Sequence, residues 1–262
     1  GALQIMTDIG NAPTASALAR NVPLQIVFAQ SLATTGEGLI VRNGSGINSV
    51  QDLKGKTIAV VRGSSSDFEL NALLTQNGVN PASVTKLNMA ASSMQAAWNS
   101  HSINAMYVWN PEFSAIQRDN GKVLATDEDV QKTAPTFNLV LANTGWAKSN
   151  PKLVEGFIQA EDQALTYIKR HPTQAVQQMV KQSGVPAAQV QTQLSGYTFY
   201  SAQDQLGANG LGQGNGVSSS LVATSLMASV KFLQQSGTVT SVPANLSQSI
   251  DPTYVENYLK QQ

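Results

Sequence analysis

The chain has 262 residues, enough for one large or two medium domains that each bury a hydrophobic core. Its 16 basic and 16 acidic residues cancel to a net charge of zero, which excludes the basic footprint of a nucleic-acid or anionic-membrane binder. The absence of cysteine removes disulfides, thiolate nucleophiles and cysteine-ligated metals, and no run of apolar residues is long enough to span a bilayer as a helix.

In chain order, residues 3–9 read as a strand, Gly10-Asn11-Ala12-Pro13 as a turn, and residues 14–20 as a helix with Pro13 near its first turn. Residues 22–29 and 38–42 are strand-like, separated by a polar loop containing Thr34-Thr35-Gly36-Glu37. Asn43-Gly44-Ser45-Gly46-Ile47-Asn48 has linker composition, and a domain boundary is expected there. A regular alternation follows: strand 56–61, helix 66–76, strand 84–87, helix 92–100, strand 105–109, helix 112–118 and strand 122–125, the signature of a doubly wound parallel sheet. Residues 135–142 are the next extended run. The remainder is mostly helical, at 151–170, 172–183, 186–194 and 218–236. Five glycines among residues 206–216 predict a surface loop.

Gly63-Ser64-Ser65-Ser66 lies between a strand and a helix, so its backbone N–H groups and hydroxyls can converge on an oxyanion. The first turn of a helix has unsatisfied donors and a partial positive charge, which lets a neutral protein hold a sulfonate, sulfate or phosphate. An ordinary serine N-cap is the bland alternative. Gly10-Asn11-Ala12-Pro13 is a second strand-turn-helix, for which a plain turn is the simpler reading. Met94, Ala97 and Trp98 fall at helical spacing, and the strand 105–109 ends on Trp109, where the crevices of α/β sheets collect ligands. Trp109 is open between core and cleft, whereas Trp98 and Tyr107 are assigned to packing. His101 and His171 both sit at element boundaries, in solvated or capping positions. No H-E-x-x-H, G-x-S-x-G, P-loop or dinucleotide fingerprint is present, so no enzyme, cofactor or metal site is expected.

Residues 94–111, with Ala96-Ala97-Trp98 and Ala105-Met106-Tyr107-Val108-Trp109-Asn110-Pro111, resemble the A-A-W…A-Y-V-W-x-P segment of periplasmic taurine-binding and aliphatic-sulfonate-binding proteins. Residues 59–68 resemble their A-V-P-x-x-S-T-T-x-Y segment through Ala59, Val60, Ser64, Ser65 and Ser66, with Phe68 at the tyrosine position. The resemblance implies a two-lobed α/β fold of the type II periplasmic-binding-protein kind, each lobe a mainly parallel sheet flanked by helices. Lobe I would hold residues 1–46 and 136–262, and lobe II residues 47–135. It further implies a periplasmic substrate-binding subunit of an ABC importer that closes on a small organosulfonate, presents it to an inner-membrane permease and breaks no bond. Nitrate, phosphonate or a pyrimidine precursor is the alternative ligand, and an α/β enzyme acting on a small anion is the alternative class. The ligand residues carried over are Gly10, Asn11, Ser64, Ser65, Ser66, Trp109 and Asn138. Asn138 stands where the taurine branch has an acid, and it supplies no charge to offset burial of an ammonium. Glu37, Asp67 and Asp8 are the candidates to replace it, the sequence does not choose among them, and for each a solvated surface acid is the simpler reading. The resemblance begins well inside the family pattern, whose first strand-helix-strand unit has no counterpart before Gly1. An uncovered lobe I sheet and self-association through it are the expected consequences.

Overall fold

The computed structural model describes residues 3–262; Gly1, on which the reading of the chain's start rests, lies outside the described residues. Its elements run β1 (Ile5–Gly10), α1 (Asn11–Ala19), β2 (Leu24–Ala33), β3 (Glu37–Arg42), β4 (Thr57–Val60), α2 (Ser65–Gln76), β5 (Thr85–Asn88), α3 (Ala91–Asn99), β6 (Ala105–Trp109), α4 (Glu112–Arg118), β7 (Gly121–Thr126) and α5 (Asp127–Val130). There follow β8 (Phe137–Asn143), α6 (Thr144–Ser149), α7 (Pro151–Arg170), α8 (Pro172–Ser183), α9 (Ala187–Ser195), β9 (Tyr197–Phe199), α10 (Ala202–Gln205), α11 (Leu221–Gln235) and α12 (Thr253–Leu259). Local chemistry accounts for many of the boundaries. Ser64 caps α2 by accepting from the Asp67 N–H. Proline opens α7 and α8, where its missing N–H costs nothing, and α8 stops at Gly184, whose φ of 71° only glycine adopts freely. In α7, Val154, Ile158 and Leu165 are buried at helical spacing.

The chain divides into two compact units: Gly1–Leu32, Phe137–Ala187 and Thr198–Gln262 in one, Ala33–Thr136 and Ala188–Tyr197 in the other. The first contains a four-stranded sheet in the order β1-β8-β2-β9. Here β8 lies antiparallel between β1 and β2, so the pairings are not mainly parallel. Gln205, fully buried on α10, closes a polar gap beside β2: its amide oxygen accepts from the Ala29 N–H at 2.8 Å and its amide nitrogen donates to the Ala29 carbonyl at 2.9 Å. Such pairing is what makes a buried amide tolerable.

The second unit is built on a five-stranded sheet ordered β5-β4-β6-β3-β7. β5, β4 and β6 are parallel, as the strand-helix alternation requires, while β3 runs antiparallel between β6 and β7. The sheets of this α/β protein are therefore mixed. One face of the second sheet carries Ile40, Met106 and Val108 into a core with Met94, Trp98, Phe113 and Ile116. Trp98 is fully buried, donates from Nε1 to the Asp119 carbonyl at 2.9 Å, and has the Arg42 guanidinium 4.1 Å from its ring centroid. Gly38 has to be glycine, because a Cβ there would sit 2.4 Å from the Ala125 carbonyl oxygen.

Three local expectations are corrected. Helix α1 begins at Asn11 directly after β1, with no intervening turn, since Gly10 already has the extended N-cap conformation and Pro13 falls within the first turn. The linker-like residues 43–48 do not separate the units: β3 precedes them and yet lies inside the second sheet, so they form a turn within that unit. Within the glycine-rich segment Gly210, Leu211 and Gly212 are buried, and a Cβ on Gly210 would meet the Asp204 carbonyl oxygen at 2.6 Å. Glycine there serves close approach as well as flexibility.

Candidate ligand site

In the second unit, register decides which side chains meet. Glu37 pairs with Trp109 and Leu39 with Tyr107, and because side chains alternate along a strand these four share the face opposite the Trp98 core. The start of α2 comes to that face. Ser65 donates its hydroxyl to the Glu37 carboxylate at 2.9 Å, and Ser66 donates to Oε2 of the same group at 2.7 Å. All three residues are buried. Ser64 donates its hydroxyl to the Val61 carbonyl at 2.7 Å, and the Gly63 N–H donates to Asp67, whose other oxygen holds the Lys86 ammonium at 2.7 Å. The three serine hydroxyls are thus committed to groups of this chain, those of Ser65 and Ser66 because the buried Glu37 carboxylate requires donors. The backbone N–H groups of Ser65 and Ser66 donate to no acceptor among the described residues, as the first turn of a helix leaves them. Trp109, half-buried at the end of β6, stands beside them through its pairing with Glu37.

Behind this turn lies a cluster the sequence reading missed. The Glu37 N–H donates to the Asp127 carboxylate at 2.7 Å, and Glu69, one turn along α2 from Ser65, faces Asp127, Tyr107 and Thr136. Neither Glu69 oxygen, nor Asp127 Oδ1, the Tyr107 hydroxyl or the Thr136 hydroxyl completes a hydrogen bond of normal geometry, though all are buried. Burial first, then the charges of Asp127 and Glu37, hold the Glu69 carboxyl well above the usual range. Burial pushes Asp127 up to about 6 against hydrogen bonds, led by the Glu37 N–H, that pull it down. The only hint in the sequence is Glu69 itself, an acid within the buried stripe of Phe68, Leu70, Leu73 and Leu74.

A pH dependence follows. With its folded value raised from 3.8 to about 6, Asp127 keeps a proton in the folded chain that the unfolded chain releases. This contribution is fully present below about pH 4 and is lost as pH rises through about 6. In metal-free buffer the Tm is expected to be higher at about pH 5 than at about pH 7.5, and Asp127→Asn should flatten that difference. A Tm difference unchanged in the variant would show that Asp127 is not its source.

The first unit gathers the other expected residues. Gly10 pairs directly with Asn138 in the β1–β8 register. Asn138, half-buried, donates from Nδ2 to Ser31 at 3.2 Å, and its carbonyl oxygen accepts nothing from the described residues. Asn11 is different: it is fully buried, donates from Nδ2 to the Ser229 hydroxyl, and accepts from the Phe137 N–H at 3.1 Å. Both ends of its amide tie α1 to α11 and β8, so the side chain is a structural bridge. Of the three carboxylates considered as replacements for the missing acid, Glu37 and Asp67 are committed as described, and Asp8, exposed on β1, has no ion pair among the described residues. Its φ of 59° lies in the left-handed region.

Comparison with known proteins matches residues 9–175 to the family described as NMT1/THI5 like. The taurine-binding periplasmic protein of Escherichia coli strain K12 is 29% identical over 256 residues, covering 95% of this chain and 76% of that protein. Among solved structures, the periplasmic aliphatic sulphonate binding protein SsuA from Escherichia coli superposes with a TM-score of 0.75 at 22% identity, over 92% of this chain and 73% of that one. The desulfurization enzyme DSZB shares the fold at a TM-score of 0.70 and 15% identity, over 98% of this chain and 85% of that one. With a match that covers more than half of the chain, from the end of β1 through α7, this chain belongs to the NMT1/THI5-like family.

Proposed function

We propose that this protein is the periplasmic substrate-binding component of an ABC importer and that its ligand is a small organosulfonate. The observation that carries the reading is the similarity to a taurine-binding periplasmic protein along 95% of the chain. The helix start at Ser65 and Ser66, with two backbone donors unclaimed and Trp109 alongside, supports an anionic head group. A fold shared with a desulfurization enzyme does not by itself separate binding from catalysis, so the test has to do so.

Thermal unfolding with taurine, isethionate, simple alkanesulfonates, sulfate, nitrate and phosphate should show a Tm that rises with the logarithm of sulfonate concentration and stays flat with the inorganic anions. The sulfonate should be recovered unchanged after incubation. A response to nitrate or phosphate alone would overturn the ligand class, and release of sulfite would overturn the binding role. Because Asn138 brings no charge, isethionate should bind at least as tightly as taurine, and Asn138→Asp should move the preference toward taurine. Titration calorimetry on both ligands checks this, and an opposite shift would remove Asn138 from the site.

A further inference from the structure

We propose that Glu37, Glu69 and Asp127 form a buried site for one hard divalent cation of calcium size, completed by the hydroxyls of Tyr107 and Thr136. One oxygen from each carboxylate lies within 4.8 Å of the others. An ion held 2.3–2.6 Å from each oxygen, the calcium range, is compatible with those separations. All the donors are oxygens, which suits calcium and magnesium and disfavours zinc and copper. The site is empty.

The unpartnered hydroxyls point to a ligand independently of the acids. Tyr107 is fully buried and Thr136 nearly so, neither hydroxyl has a partner, and both lie against Glu69. Five oxygens of this one cluster are buried without a hydrogen bond: both of Glu69, Asp127 Oδ1, Tyr107 Oη and Thr136 Oγ1. Calcium takes six to eight oxygens and can serve them together. The ligands come from β3, α2, β6, α5 and the residue before β8, so an ion there would pin the start of α2 through the Ser65 and Ser66 bonds to Glu37.

The test uses the full chain stripped with EDTA, with no sulfonate present, titrated with calcium, magnesium, manganese or sodium by calorimetry and thermal unfolding. One calcium ion per chain is expected, with a Tm that rises with log calcium concentration. Glu69→Gln should weaken binding by about tenfold or more. Terbium in place of calcium should show luminescence sensitised through the Tyr107 ring, lowered in Tyr107→Phe, which keeps the packing if Glu69→Gln fails to fold. No heat and no Tm shift with any cation, a preference for magnesium, or a terbium signal indifferent to Tyr107→Phe would each overturn the assignment. Calcium should also tighten sulfonate binding by offsetting the Glu37 charge beside the Ser65 and Ser66 N–H groups. That consequence rests on the sulfonate reading, whereas the calcium titration does not, so the two fail separately.

Discussion

Asn11→Ala is expected to lower the stability of the fold by about 2–4 kcal/mol, because it strands the Phe137 N–H and removes the donor to Ser229 in a fully buried setting. A backbone N–H left unpaired away from water loses its hydration without compensation, and that penalty exceeds the net value of an ordinary hydrogen bond. For a chain of this length the Tm should fall by roughly 5–15 °C. Asn11→Asp should recover part of the loss, since a carboxyl oxygen can still accept from Phe137, though it places an acid in a buried site. Urea unfolding of the three proteins checks the order. The same variants separate structure from recognition: below its lowered Tm, Asn11→Ala should bind sulfonate with little change. A collapse of affinity with stability intact would return Asn11 to the ligand.

Ser65→Pro should cost sulfonate affinity roughly 10- to 100-fold beyond the effect of Ser65→Ala, the value of a hydrogen bond to a charged group. The pair of substitutions isolates a backbone donor. Both remove the hydroxyl that bonds Glu37, and only proline also removes the N–H. Proline is compatible with the position, the first residue of α2, and Ser64 before it already has the extended φ of −84° and ψ of 176° that a pre-proline residue prefers. Ser65→Ala and Ser66→Ala should act chiefly on stability, since their hydroxyls serve a buried carboxylate of the chain and not the ligand. Equal sulfonate affinity in Ser65→Pro and Ser65→Ala would sink the placement of the anion at this helix start.

The sequence carries most of the longer elements in order and the α/β class, because each depends on signals within a few residues, whereas the short elements α5, α6, β9, α10 and α12 were not legible in it. The strand 105–109, the helices at 112–118, 151–170 and 172–183, and the Ser64 cap are all local matters of period, proline placement and side-chain capping. It also brought the Gly63–Ser66 turn forward as an anion site, from the chemistry of a strand that ends where a helix begins. Partner choice was left to the tertiary structure. Nothing in the periodicity of residues 37–42 says that they insert between β6 and β7, and a linker-like run after them points the other way. Once β3 lies there, its register sets Glu37 against Trp109 and under the hydroxyls of Ser65 and Ser66, which turns two expected ligand groups into internal donors. The same pairing gathers Glu37, Glu69, Tyr107, Asp127 and Thr136, residues scattered across most of the second unit, each with an unremarkable role when read alone. Asn11 shows the complementary case, a polar residue in a turn-like motif whose amide is consumed by α11 and β8. The reason is physical: period and capping energies act along the chain, whereas the cost of burying a charge or an amide is set by the neighbours that the folded topology supplies.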